Sequence, residues 1–204
     1  MGSPPLDLVL VAQYALYVSL VKLLPVPVLD WLIEEALRKR LTRLQLRGFD
    51  LELPRRDIRL LASGDAGGCL GLMWSIVAWP FRRFLWYLLW VLLLKAMIDT
   101  FSDVVARSIL VHEAAELGLL HDHSAVEVRA AIQRARRGVN TRPIERAFSI
   151  VFRSLWGQLF RRHGIETLSE ALARAIYLPE THEKLRRQLQ EEAAVGIALY
   201  DDEE

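Results

Sequence analysis

The stretch WPFRRFLWYLLWVLLLKAMID, from Trp79 to Asp99, is the densest apolar segment of this 204-residue chain and most restricts how the chain can fold. Its uninterrupted run, Phe84–Leu94, has about eleven residues and would form roughly 16 Å of helix. A bilayer core requires about 20 apolar residues, and runs of 10–14 are usually buried core helices or interfacial segments. Extension past Lys95 soon reaches Asp99, whose charge is costly in lipid. We therefore expect no conventional transmembrane helix and interpret the run as the axis of a helical bundle.

The rest of the chain follows the helical period of hydrophobicity, and no segment shows the sustained alternation of a strand. Gly118 is expected to end the long central helix, and Asp122 or Ser124 to cap the next one. The predicted helices cover about 6–24, 28–47, 55–62, 69–79, 81–117, 124–137, 144–163, 168–177 and 179–199. They predict an all-α, single-domain bundle of about eight helices around a very apolar central helix (about 81–117), with an acidic tail at 200–204.

Composition narrows the class of protein. With 52% hydrophobic residues, the chain is too polar for a polytopic membrane protein and too apolar for a disordered one. Its net charge of +1 is too small to attract the negatively charged backbone of nucleic acid, so we do not expect nucleic acid as a partner. Asp7 stands where a secretory signal would carry Lys or Arg, so we expect no cleaved secretory signal. We expect a bacterial, cytoplasmic protein, and peripheral attachment to the inner membrane is one option.

Aromatic and arginine side chains gather at the start of the dense segment. This combination is typical of a bilayer headgroup interface. The competing interpretation is that the aromatic rings fill the core and that the Pro80 region is only a surface corner of the bundle. The candidate membrane- or partner-binding residues here are Trp74, Trp79, Phe81, Arg82, Arg83 and Trp86.

The segment IERAFSIVFRSLWGQLFRR, Ile144–Arg162, forms a second candidate contact. One face is aromatic and aliphatic and the opposite face is cationic, as in helices that lie in an anionic interface or dock into a partner's groove. An ordinary outer helix facing its own core has the same pattern. The candidate residues are Phe148, Phe152, Arg153, Trp156, Phe160, Arg161 and Arg162.

A glycine-rich loop precedes the dense segment. It lacks the Lys-Ser/Thr of a phosphate loop and follows no strand, so we interpret it as a hinge. Its glycines are Gly64, Gly67, Gly68 and Gly71. This hinge suggests an alternative function. The hairpin 69–98 would insert into a bilayer, and the bundle would permeabilise that bilayer.

The sequence VHEAAELG holds His112, Glu113 and Glu116, which suggests a further alternative, a metal-dependent enzyme. A zinc hydrolase would need a second histidine where Glu116 stands. A di-iron bundle would need Glu-x-x-His pairs, which the sequence lacks. We interpret the cluster as a solvated polar face and expect no metal or cofactor.

The leading hypothesis is a non-enzymatic helical protein that associates with a membrane surface or a partner subunit through its aromatic and arginine-rich helices. The partner subunit in this hypothesis is either a different protein or a second copy of this chain. No catalytic residue is assigned.

Overall fold

The computed structural model describes residues 5–22, 27–62, 86–155, 157, 164–177 and 179–201, with 27–31, 86–92 and 195–201 described as backbone only. These residues form nine helices, which confirms the prediction of an all-α bundle. They are α1 (Leu8–Val21), α2 (Pro27–Arg47), α3 (Arg55–Ala62), α4 (Trp86–Glu116), α5 (Leu119–Asp122), α6 (Ala125–Gly138), α7 (Arg142–Leu155), α8 (Gly164–Ile176) and α9 (Pro179–Asp201).

Local chemistry explains several helix boundaries. The Asp7 carboxylate accepts hydrogen bonds from the backbone amides of Val9 and Leu10, which are unsatisfied at the start of α1. Gly118 follows α4 with φ of 76°, a left-handed conformation that a side chain would disfavour. Of the two predicted caps for α6, Ser124 is the one used. It forms a reciprocal capping box with Glu127.

Helix α4, whose C-terminal half is largely buried, lies at the centre of the packing and contacts α1, α2, α5, α6, α7 and α9. Its face from Met97 to Ala115 is buried almost throughout. The aromatic centre joins α4 to α7, because the rings of Phe101 and Phe148 lie 4.4 Å apart between centroids. This half of the helix also buries polar side chains, Arg107 among them, so the bundle centre is not purely apolar.

The N-terminal half of α4 contains most of the predicted apolar axis. Leu94, the last residue of the Phe84–Leu94 run, is 37% exposed. The side chains of residues 84–92 lie outside the described part of the structure, so the run's role as the bundle's axis stays a prediction. In the residues that are described, no helix has both the length and the hydropathy needed to cross a membrane.

Helix α1 is a second deeply buried element. It packs against α2, α4 and α8. Val11, Ala12, Ala15, Leu16 and Val18 have no solvent exposure. The one polar side chain among them, Ser19, donates its hydroxyl proton to the Ala15 carbonyl at 2.7 Å, which satisfies it within the helix. These residues share one broad face of the helix, while Gln13, Tyr14 and Tyr17 on the other side are partly exposed.

Candidate functional site

Helix α7 presents two chemically distinct faces. Ile144, Phe148 and Phe152 recur every four residues and are buried against the neighbouring helices α4 and α8. Arg146, Ile150 and Arg153 lie on the opposite side and are exposed. Ile150 is 63% exposed and lies between two exposed arginines on this side of the helix. We call Arg146, Ile150 and Arg153 the outer face of α7.

The structure corrects two of the predicted contact residues. Phe148 is 0% exposed and Phe152 is 6% exposed, and their rings stack at 5.0 Å. Both rings fix α7 to the core, so neither can contact a membrane or partner in this conformation. Arg153 is exposed, as the prediction requires. Ile150 was missed, although its spacing from Arg146 and Arg153 places it on the polar face of the helix.

The remaining predicted contact and hinge residues cannot be placed. Of Trp86 only the backbone is described, within α4. The others lie outside the described residues, and their roles stay predictions. They are Trp74, Trp79, Phe81, Arg82, Arg83, Trp156, Phe160, Arg161, Arg162 and the hinge glycines Gly64, Gly67, Gly68 and Gly71.

Some cations of the bundle are ion-paired, and others, such as Arg43, Arg55 and Arg137, form no ion pair with a described residue. Arg38 pairs with Glu34 and Asp103, and Arg134 with Glu192. Arg146 and Arg153 form no ion pair with any described residue. The nearest acid in sequence, Glu145, accepts a hydrogen bond of 2.7 Å from the Thr141 hydroxyl instead. The outer face therefore carries positive charge that no described acidic side chain neutralises.

Two of the three residues of the predicted polar face of α4 are buried, which corrects their interpretation as solvated, whereas Glu116 is exposed. His112 and Glu113 are each 8% exposed because α9 covers them. Arg186 of α9 reaches both acids, with its Nε 3.4 Å from a Glu113 oxygen and its Nη1 3.6 Å from a Glu116 oxygen. The His112 ring lies edge-on to Phe49, 4.9 Å away. We call His112, Glu113, Glu116, His182 and Arg186 the α4–α9 cluster.

Burial shifts the proton equilibria of the α4–α9 cluster. It lowers the pKa of His112, which Glu116 opposes and His182 reinforces. It also lowers the pKa of His182, whose buried Nε2 forms no hydrogen bond with a described residue. Burial raises the pKa of Glu113, against the attraction of Arg186. In the described part of the chain, no three His, Cys, Asp or Glu side chains are arranged to hold a metal ion. The arrangement is an ionic connection between two helices.

These shifts predict acid sensitivity. His112 and His182 have a lower pKa in the folded protein than the value of 6.5 in the unfolded chain, so the unfolded chain binds protons more readily. Their contribution to stability is therefore complete above pH 6.5 and is lost as the pH falls through the folded pKa. We expect the free energy of unfolding to fall below pH 6.5, and to fall less in His182→Gln. Urea denaturation at a series of pH values measures this, with exposed His121→Gln as the control. An unaltered pH profile for His182→Gln would contradict the prediction.

Glu113 acts in the opposite direction. Its folded pKa lies above the ordinary value of 4.5, so ionisation costs folding free energy as pH rises and acid relieves that cost. Glu113→Gln should therefore steepen the acid-induced loss that the histidines cause.

Comparison of the chain with protein-family models, curated proteins and solved structures gave no significant match.

Proposed function

We propose that this chain is a non-enzymatic helical protein that attaches peripherally to an anionic membrane surface through the outer face of α7. The observation that carries the proposal is the exposure of Ile150 between two arginines that have no acidic partner among the described residues. An interfacial helix binds in this way, with its arginines at the lipid phosphates and its apolar side chain at the boundary with the acyl chains.

The chemistry of this face favours lipid over a protein partner. A protein interface usually has a contiguous apolar centre with a polar rim. The described outer face has one large apolar side chain, Ile150, and its charge is the dominant feature. Electrostatic adsorption to anionic lipid requires only such charge, at about 1 kcal/mol per arginine near the surface. The sequence continues with Trp156, Phe160, Arg161 and Arg162, which have the same composition.

The test is co-sedimentation with vesicles of mixed phosphatidylglycerol and phosphatidylcholine at low salt. We expect the wild-type protein to bind and the double variant Arg146→Glu/Arg153→Glu to bind at least about 30-fold more weakly, since two surface arginines contribute about 2 kcal/mol. Ile150→Ala should weaken binding by a smaller factor. Added salt should release the wild-type protein, because it screens the attraction.

A matched control is available on α3. Arg55→Glu/Arg56→Glu changes the net charge by the same amount at two exposed positions in the first helical turn. Acidic residues are tolerated there because they complement the helix dipole. Equal losses in both double variants would show that net charge, and not the outer face of α7, governs binding. Failure of the wild-type protein to sediment with the vesicles would overturn the proposal.

A further inference from the structure

A cleft of about 350 Å³ lies between α9 and the loop that joins α6 to α7. Its volume falls in the range of small-molecule sites. The wall from α9 includes Thr181, Lys184 and Arg187, spaced by three residues so that they follow one side of the helix. The opposite wall includes Asn140 and Pro143. None of these residues belongs to the outer face of α7 or to the α4–α9 cluster.

Two cations of the cleft have no charge partner. Lys184 and Arg187 are exposed at its edge and form no ion pair with a described residue. On the same helix, by contrast, Arg186 contacts Glu113 and Glu116. Arg186 is thus neutralised by acids of α4, while Lys184 and Arg187 are available to another anion.

Thr181 places a hydroxyl at the wall of the cleft. The residue as a whole is 8% exposed, and it lines the cleft. Its hydroxyl forms no hydrogen bond with another residue in the described part of the chain. A ligand in the cleft can therefore use this hydroxyl as a hydrogen-bond donor or acceptor.

The opposite wall adds a further donor. The Asn140 side-chain oxygen accepts a hydrogen bond of 3.0 Å from the Arg142 amide, which leaves its NH₂ group available to the cleft. The Gln188 side chain lies over Gly138, where an added Cβ would come within 3.0 Å of it. This close approach brings the loop against α9. Glu191 is the one acidic side chain among the described residues that line the cleft.

We propose that this cleft binds the phosphate of a polyol phosphate, such as a glycerol phosphate, with Thr181, Asn140, Lys184 and Arg187 as donors and Glu191 as acceptor for a ligand hydroxyl. A tetrahedral phosphate presents several oxygens and can use donors from both walls, whereas a planar carboxylate is served by one arginine. The same chemistry occurs in a free polyol phosphate and in the headgroup of phosphatidylglycerol. The inference does not depend on the proposed function of α7.

Isothermal titration calorimetry with glycerol 3-phosphate, with glycerol as the matched neutral ligand, tests the site. We expect saturable binding of the phosphate ester alone. Lys184→Gln and Arg187→Gln should each weaken it about tenfold, as expected for the loss of a charge-assisted contact. Thr181→Val keeps the side-chain shape and removes the hydroxyl, so it should weaken binding without lowering the midpoint of urea unfolding. Arg55→Gln is the control and should bind as the wild type does.

A parallel titration with phosphatidylglycerol vesicles distinguishes the two sources of the phosphate. Both titrations use Arg146→Glu/Arg153→Glu as background, which removes adsorption through α7. Binding that Arg187→Gln weakens about tenfold would assign the lipid headgroup as the ligand if only the vesicles bind. It would assign a free polyol phosphate if the soluble ester binds. No saturable binding of either probe up to about 10 mM, or equal binding by wild type and Arg187→Gln, would overturn the proposal.

Discussion

Replacing Phe148 with alanine is expected to lower the free energy of unfolding by about 3–5 kcal/mol, the largest single effect that we predict. The ring is fully buried. Its centroid lies 4.4 Å from that of Phe101 in α4 and 5.0 Å from that of Phe152 in its own helix. Its removal leaves a cavity lined by aromatic rings that cannot collapse completely. Urea denaturation followed by circular dichroism measures the loss.

Ile150→Ala on the same helix is the matched control. Because Ile150 is 63% exposed, its truncation should change the free energy of unfolding by less than about 0.5 kcal/mol. Phe148→Leu, which keeps most of the apolar volume, should fall between the two. If Phe148→Ala were no more destabilising than Ile150→Ala, the assignment of the two faces of α7 would be wrong.

Replacing Asp103 with alanine is expected to cost about 3 kcal/mol, the lower end of the range for breaking a buried ion pair. Its carboxylate contacts Arg38 of α2 at 2.9 Å and Arg136 of α6 at 2.8 Å. Its loss would leave Arg38, whose side chain is 11% exposed, with Glu34 as its remaining ion-pair partner. Arg136 is 28% exposed and can be partly rehydrated, which limits the cost.

Asp99→Ala provides the control one helical turn earlier, at an exposed position of α4. It should have little effect on thermal or urea unfolding. The double variant Arg38→Met/Asp103→Leu tests the mechanism, because an apolar pair removes both charges together. It should be less destabilised than the sum of the two alanine variants Arg38→Ala and Asp103→Ala. Simple additivity would show that the pair does not act as a unit.

The helices could be predicted from the sequence because their signals are local. The bounds of α3 agree with the prediction, and Gly118 and Ser124 act at the helix ends where their backbone and hydroxyl chemistry indicated. Each of these features depends on residues within one or two turns of each other. Helical periodicity also predicted that Phe148 shares a face with Ile144 and Phe152.

The surroundings of each helix could not be predicted in the same way. Periodicity indicates which residues share a face, but it does not reveal whether a second helix covers that face. His112 and Glu113 were interpreted as solvated because nothing near them in sequence showed that Arg186 would pack over them. Likewise, the contact between Arg38 and Asp103 joins residues 65 positions apart. The outer face of α7 was found only in part, since a lone isoleucine between arginines carries little weight in a periodicity pattern.

The packing of α1 against α8 has a consequence for how the chain is made. A ribosome synthesises α1 before α8, yet α8 is one of the described helices against which α1 packs, and it emerges more than a hundred residues later. Until then, the side of α1 that α8 covers has no native partner, and its apolar residues are open to association with other nascent chains. Native packing of α1 is therefore completed only after α8 has been synthesised, and contacts of such long sequence separation form slowly.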